Sequence, residues 1–171
     1  MSIILFESVS LNGMIGRPNG VGDFFTNYCW TGFVDIARET GAMIWGRTTH
    51  DGFGAAMRDA APELRGVVLT RNRDYEPGPN WSIAESPEAA VRLLHAEGVE
   101  HALVVGGQSV NTAFAKAGLL DEIMLFVEAV TVSTGMPLFS GELPDMRLRL
   151  LDVARPTDTV LRLHYSVLSN R

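Results

Sequence analysis

The 171-residue sequence carries 20 acidic and 14 basic side chains, a formal net charge of -6 and 46% apolar residues. That length suits one domain, able to bury roughly 70% of its unfolded surface and so to be held by a hydrophobic core alone. One cysteine, Cys29, excludes an internal disulfide, the acidic balance disfavours a nucleic-acid surface, and no apolar run approaches the ~20 residues that cross a bilayer. Met1-Ser2-Ile3-Ile4 has no basic region ahead of its apolar stretch, so the expectation is a cytoplasmic protein without membrane or nucleic-acid partners.

The predicted elements alternate along the chain. Ile3 to Val9 reads as an apolar strand. A helix follows from about Phe24 to Thr40, with Trp30, Phe33, Val34 and Ala37 on one face and Gly41 at its end. Ala42 to Trp45 is a second strand, followed by a shorter helix after Gly46 and by strands at Gly66 to Thr70 and Trp81 to Ala84. Ser86-Pro87-Glu88 supplies an N-cap, a first-turn proline and an early acid for a helix through Leu94 that stops at Gly98. Ala102 to Val105 leads through Gly106-Gly107 into a helix ending at Gly118, and Glu122 to Val132 is a long strand. Leu148 to Val153 and Leu161 to Leu168 form a hairpin turning at Arg155-Pro156-Thr157-Asp158. In its second strand Leu161, Leu163, Tyr165 and Val167 alternate with Arg162, His164 and Ser166, the pattern of one buried face. This order predicts a three-layer α/β/α domain over residues 1–171, its central sheet mainly parallel with a C-terminal antiparallel hairpin.

Chemistry concentrates at strand ends. Leu103-Val104-Val105-Gly106-Gly107-Gln108-Ser109-Val110 runs from an apolar strand through two glycines into a helix. Such a junction turns backbone N–H groups and the positive helix end toward an anion, and glycine permits close approach. A tight strand-to-helix turn explains the same residues, and no GxGxxG is present. Met43-Ile44-Trp45-Gly46-Arg47-Thr48-Thr49 repeats the geometry with a cation and two hydroxyls, and Val67-Val68-Leu69-Thr70-Arg71-Asn72-Arg73 ends a third strand. Arginine forks suit phosphate oxygens, although Arg47, Arg71 and Arg73 are equally readable as solvated loop charges. Parallel neighbours would bring these ends to one edge, where ligands of open α/β sheets bind. His50, His95, His101 and His164 lack metal-ligand spacing, so no metal site is expected.

A fourth segment, SLNGMIG at 10–16, joins MIWGRTTHDGF at 43–53, VVLTRN at 67–72, VVGGQSVNTAF at 104–114 and LLDEIMLFVEAVTVSTGMPLF at 119–139. In that order the set resembles the dihydrofolate reductase superfamily, in the branch related to the reductase domain of bacterial riboflavin biosynthesis, over nearly the whole chain. The resemblance implies a dihydrofolate-reductase-like fold and an NADPH-dependent reductase. Such an enzyme passes a hydride to a C=N or C=O bond of a small planar heterocycle, pteridine- or pyrimidine-like. By the same resemblance Val9, Ser10, Ile15 and Gly16 flank the nicotinamide, and Gly46, Arg47, Thr48 and Thr49 hold phosphates. Thr70, Arg71 and Asn72 match the segment at the adenosine 2′-phosphate, and Gly106, Gly107, Gln108, Ser109 and Val110 match the pyrophosphate turn.

The substrate side departs from these relatives. The acid that folate-reducing members carry on the first helix falls at Trp30, which cannot protonate a pterin. Riboflavin-type relatives read Ser-Leu-Asp-Gly where this chain has Asn12. Asp23-Phe24 matches their acid-aromatic pair, leaving Asp23 as either a substrate-side carboxylate or a helix N-cap. Tyr28 or Trp30 is suited to stack on a planar substrate. Two other readings stand beside the general one. The first is the riboflavin-pathway 5-amino-6-(5-phosphoribosylamino)uracil reductase, which needs a further cation such as Arg17 or Arg58 for the substrate phosphate. The second is a non-catalytic NADP-binding module. Relatives of the riboflavin type are often dimers, so a homodimer is expected, with Glu122 to Val132 and Leu161 to Leu168 as candidate interface strands.

Overall fold

The computed structural model describes residues 1–168, so the last three residues of the expected 1–171 domain lie outside it. In chain order its elements begin with β1 (Ser2–Ser10), β2 (Met14–Gly16), α1 (Asn27–Thr40), β3 (Ala42–Gly46) and α2 (Arg47–Ala60). They continue with β4 (Arg65–Leu69), β5 (Trp81–Ala84), α3 (Pro87–Ala96), β6 (His101–Val104) and α4 (Gln108–Lys116). The chain closes with β7 (Glu122–Glu128), β8 (Met136–Pro137), β9 (Arg147–Ala154) and β10 (Val160–Leu168). Eight strands form one sheet in the order β5-β4-β3-β6-β1-β7-β10-β9. The first six in that order are parallel, and β10 and β9 return antiparallel, as the sequence pattern predicts. β2 and β8 make a separate ribbon, too short to show a period in the sequence. Among the described residues no helix is long and apolar enough to cross a membrane.

The pleat sends alternate side chains to opposite faces. Phe6, Met43, Trp45, Val68 and Phe126 face α1 and α2, packing with Phe33, Val34, Ala37 and Met57. Leu5, Ile44, Val67, Val104 and Ile123 face α3 and α4, packing with Leu94, Phe114 and Ala115. Phe6 stacks on Phe33 at 5.2 Å and meets Phe126 edge-on at 5.0 Å, locking α1 to the central strands.

Four elements differ from the sequence expectation. First, α1 starts at Asn27 rather than near Phe24, because Phe24 and Phe25 pack on one another at 4.3 Å and Thr26 takes the cap position. Second, α2 is a full 14 residues, despite Gly52 and Gly54. Gly54 lets the helix close over His50, whose Nε2 would lie 2.8 Å from a Cβ there. Third, β7 stops at Glu128 instead of Val132. Beyond it the Val130 carbonyl accepts from Leu11 N–H, and the Asn12 amide pairs with both backbone groups of Val132. Finally, the alternation in β10 buries its apolar face only in part: Leu163, Tyr165 and Val167 are half-buried, Leu161 is 43% exposed, and on β9 Leu150 and Val153 are 52% and 53% exposed.

Glu128 decides where α1 begins. Its buried carboxylate accepts from Thr26 N–H at 3.1 Å, Thr26 O–H at 2.8 Å and Cys29 Sγ at 3.5 Å. Burial pushes this carboxyl up, but the Thr26, Thr159 and Cys29 hydrogen bonds outweigh it and hold the group below the ordinary carboxylate range. Glu128→Ala should therefore cost about 2–4 kcal/mol by orphaning these donors. The carboxylate's contribution is present above about pH 4.5 and lost as pH falls through its lowered folded-state value. Urea unfolding of both proteins should show a gap that narrows between about pH 7 and pH 3, and a pH-independent gap would overturn the assignment.

Candidate active site

β3 and β6 are neighbours, yet β3 feeds α2 on one face while β6 feeds α4 on the other. A crevice opens between the two helix starts at the carboxyl edge, the topological switch point of an open sheet. Gly46 N–H donates to the Gly106 carbonyl at 2.8 Å, and Val105 N–H to the Ile44 carbonyl at 2.8 Å. Gly106 has φ +59°, and a Cβ on it would lie 2.4 Å from Glu7 Oε1, so only glycine fits. The Gly106–Gly107 peptide is cis. A Cβ on Gly46 would meet Val110 Cγ2 at 3.1 Å, whereas one on Gly107 would face only Thr49 Oγ1, at 3.6 Å. Gly46, Thr49, Gly106, Gly107 and Val110 thus meet at one junction, where the space in front of Gly107 is the most open.

The helix ends are treated unequally. At α1 Glu128 accepts from the N–H of the cap residue Thr26 at 3.1 Å, and at α3 Ser86 Oγ accepts from Ala89 N–H at 3.2 Å, with Glu88 in its first turn. α2 and α4 instead open on Gly46 and Gly107, with no side-chain cap and no acid in the first turn. Their first N–H groups and positive dipole ends are left for an anion at the crevice.

The other expected residues take distinct places around this junction. Arg47 stands 3.9 Å from Asp51, and Thr48 is exposed. Past the end of β4, Thr70 Oγ1 accepts from Asn72 N–H at 3.0 Å, and the exposed Arg71 has no ion-pair partner among the described residues. Arg73 is committed to Glu85 at 2.7 Å. Ser109 is exposed, while the Gln108 amide donates to the Pro137 and Phe139 carbonyls, strapping 137–139 to α4. Val9 and Ser10 are buried at the end of β1, and Ser10 Oγ donates to Asn12 and accepts from Met14 N–H. Ile15 and Gly16 lie in the β2–β8 ribbon. Asn12 latches this loop to Val132. Asp23 does not cap α1: its Oδ1 accepts from Arg17 Nε at 2.8 Å. Trp30 stacks on Phe53 of α2 at 6.3 Å, and Phe53 is 46% exposed, giving an aromatic wall between the two helices. A separate hollow at the opposite edge of the sheet is lined by Met1, Ser2, His95, Gly98, His101 and Asp121.

The sequence matches the family described as RibD C-terminal domain over residues 1–161. The chain belongs to this family. The uncharacterised Bacillus subtilis (strain 168) proteins YwjB and YyaP are 26% and 25% identical, with 95% of this chain covered in each case and 95% and 93% of those proteins. Among solved structures, a putative riboflavin biosynthesis protein from Shewanella sp. PV-4 superposes with a TM-score of 0.82 at 23% identity, covering 99% of this chain and 100% of that one. A Thermotoga maritima diaminohydroxyphosphoribosylaminopyrimidine deaminase/5-amino-6-(5-phosphoribosylamino)uracil reductase gives 0.76 at 18% identity, covering 98% of this chain and 56% of that one. The dihydrofolate-reductase-like α/β fold of RibD reductase domains is therefore the fold of this chain.

Two features of this RibD-type domain are not legible as motifs. Asn111, fully buried, holds Gly106 N–H at 3.1 Å and Glu7 Oε1 at 2.8 Å. The available signal was an acid at position 7, on the core-facing parity of Ile3 and Leu5. The second is the cluster around His50, which binds α2 to the chain beyond β4. Tyr75 O–H donates to Asp51 Oδ1 at 2.6 Å, so its oxygen accepts from His50 Nδ1–H at 2.6 Å. That leaves His50 Nε2 to accept from Arg58 at 3.3 Å. Burial and the Arg58 charge hold the imidazole below its ordinary range, with Asp51 opposing them more weakly. Burial and the Asp51 contact push the Tyr75 phenol up to about 12. Long-range 15N NMR should find His50 neutral in the Nδ1–H tautomer at about pH 6.5, and an imidazolium there would overturn this arrangement.

Proposed function

We propose that this protein is an NADPH-dependent reductase that delivers a hydride to a C=N or C=O bond of a small planar heterocycle, pteridine- or pyrimidine-like. The observation that carries the reading is the pair of uncapped, glycine-faced helix starts at the switch point, in a chain of the RibD C-terminal domain family. Two uncapped helix ends a hydrogen bond apart suit the two phosphates of a dinucleotide better than a single anion. Residues 46–49 and 106–110 would cradle the pyrophosphate, with Arg47 adding charge. Thr70, Arg71 and Asn72 would meet the adenosine 2′-phosphate, where Arg71, without an ion-pair partner among the described residues, favours NADPH over NADH. The backbone of Val9, Ser10, Ile15 and Gly16 flanks the place assigned to the nicotinamide. The cofactor, when bound, supplies the hydride, and the chain's part is to orient it and keep water out.

On the substrate side, Trp30 and Phe53 suit a planar ring, whereas the polar groups expected there are already engaged, Asp23 by Arg17 and Asn12 by Ser10 and Val132. The narrower riboflavin-pathway reading has less support. Arg58 is engaged by His50 and the Pro77 carbonyl, and Arg17 by Asp23, so neither is a free cation for a substrate phosphate. NADPH oxidation with a panel of heterocyclic acceptors separates the reductase from a binding module without chemistry.

Tryptophan fluorescence should report NADPH binding by the wild type. Gly107→Val should abolish it in a protein with unchanged circular dichroism, and retained affinity would sink the pyrophosphate assignment. Arg71→Ala should narrow the NADPH-to-NADH preference by roughly tenfold, the scale of one charge-assisted hydrogen bond. An unchanged ratio would place the 2′-phosphate elsewhere.

We also propose a homodimer. Leu148, Leu150 and Val153 of β9 lie in register with Val167, Tyr165 and Leu163 of β10, giving an apolar face on a solvent-facing edge strand. A second copy meeting it about a two-fold axis would cover both the face and the edge. Sedimentation at micromolar concentration should give a dimer that Leu150→Lys dissociates. A wild-type monomer would overturn the proposal.

A further inference from the structure

The Asn111 amide has one orientation available to it. Its Nδ2 donates to Glu7 Oε1 at 2.8 Å and to the Leu138 carbonyl at 3.1 Å, while its Oδ1 accepts from Gly106 N–H at 3.1 Å. Glu7 holds the amide in this direction together with the Leu138 carbonyl, and the amide draws the Gly106 N–H inward. The N–H groups that follow, at the open start of α4, are left facing the crevice. Glu7 itself lies against the back of the same turn, its Oε1 at 2.4 Å and Oε2 at 3.8 Å from where a Gly106 Cβ would stand. Oε2 has no hydrogen bond among the described residues. The groups that face this carboxyl are Gly106 of the turn, Asn111 of α4, Leu138 of the strap and Leu125, its register partner on β7; none of them ionises. Among the described residues no cation lies there to neutralise a carboxylate, and burial pushes the group up to about 7 against the weaker, lowering effect of Asn111.

We propose that Glu7 is a positioning residue of the dinucleotide turn, acting through Asn111, and that binding of the dinucleotide phosphates takes up a proton at its carboxyl. This rests on the cofactor reading above. Half-buried behind the turn, a carboxylate at Glu7 repels an anion arriving at its front. The protonated acid does not, and its carbonyl oxygen still accepts from Asn111, so the turn keeps its shape. By linkage, a ligand that favours the protonated group binds more tightly when the group is already protonated.

The test is calorimetry of NADPH binding at about pH 7 in phosphate and in Tris, whose ionisation enthalpies differ, for the wild type and Glu7→Gln. Affinities from about pH 6 to 8 complete it. The wild type should take up a fraction of a proton more than the variant, and its affinity should fall several-fold further as pH rises. The 2′-phosphate titrates in both proteins and cancels in the comparison. A purely structural role would weaken the variant equally at every pH and leave the proton count unchanged. Equal uptake and parallel pH profiles overturn the proposal and leave the cofactor reading standing, whereas a wild type that does not bind NADPH overturns both. If the variant does not fold, a 13C titration of the wild-type Glu7 carboxyl with and without NADPH decides the matter. Its midpoint rises on binding, or the proposal fails.

Discussion

One backbone hydrogen bond, from Gly46 N–H to the Gly106 carbonyl, joins the two strand ends on which the candidate site is built. It forms because β3 and β6 are parallel neighbours whose chains leave the sheet toward opposite faces. A side chain at either glycine would intrude: Val110 crowds Gly46, and Glu7 crowds Gly106. The approach of the two helix starts is thus set by sheet topology and permitted by the absence of two Cβ atoms.

The electrostatics of the site follow from the same constraint. Each helix presents unpaired N–H groups at its start, and the protein closes these ends unequally. Ser86 and Glu88 close α3 from within the local sequence, while at α1 Glu128 of β7 holds the cap residue Thr26. α2 and α4 stay open at the carboxyl edge, where partial positive charge accumulates without an acid in either first turn. Glu7 is the exception nearby, an acid placed behind the glycine turn and held by a buried amide. Structural carboxylates near a helix start are therefore of two kinds here. Glu128 is satisfied by donors that hold it below the ordinary carboxylate range, whereas Glu7 has few donors and burial pushes it up to about 7.

At the far end of the sheet the economy is different. α3 and α4 cover β6 and β1, whereas β9 and β10 leave Leu148, Leu150, Leu151, Val153, Leu161 and Leu168 exposed. The antiparallel hairpin repeats the period-2 pattern of a buried strand without fully burying it within one copy of the chain. An apolar edge of this kind is a liability in a monomer and a ready contact in an assembly.

Local residues determined much of this by themselves. The Ser86-Pro87-Glu88 start, the Gly41 stop, the strand-to-glycine junctions and the terminal alternation each follow from chemistry within a few residues, so they were legible before any fold was known. Long-range pairing decided the rest. β7 ends at Glu128 because Leu11 and Asn12, more than a hundred residues earlier, take the backbone groups beyond it. α2 extends through two glycines because packing around His50 and Met57 outweighs their low helix propensity. Asp23, readable as a cap, is paired with Arg17 because Glu128 already holds Thr26. Glu7 meets Gly106 and Asn111 only once β1 lies beside β6, and no local pattern encodes that neighbourhood. Residues that act on their own segment are written in the sequence, and residues that act across the sheet acquire their roles from the strand order.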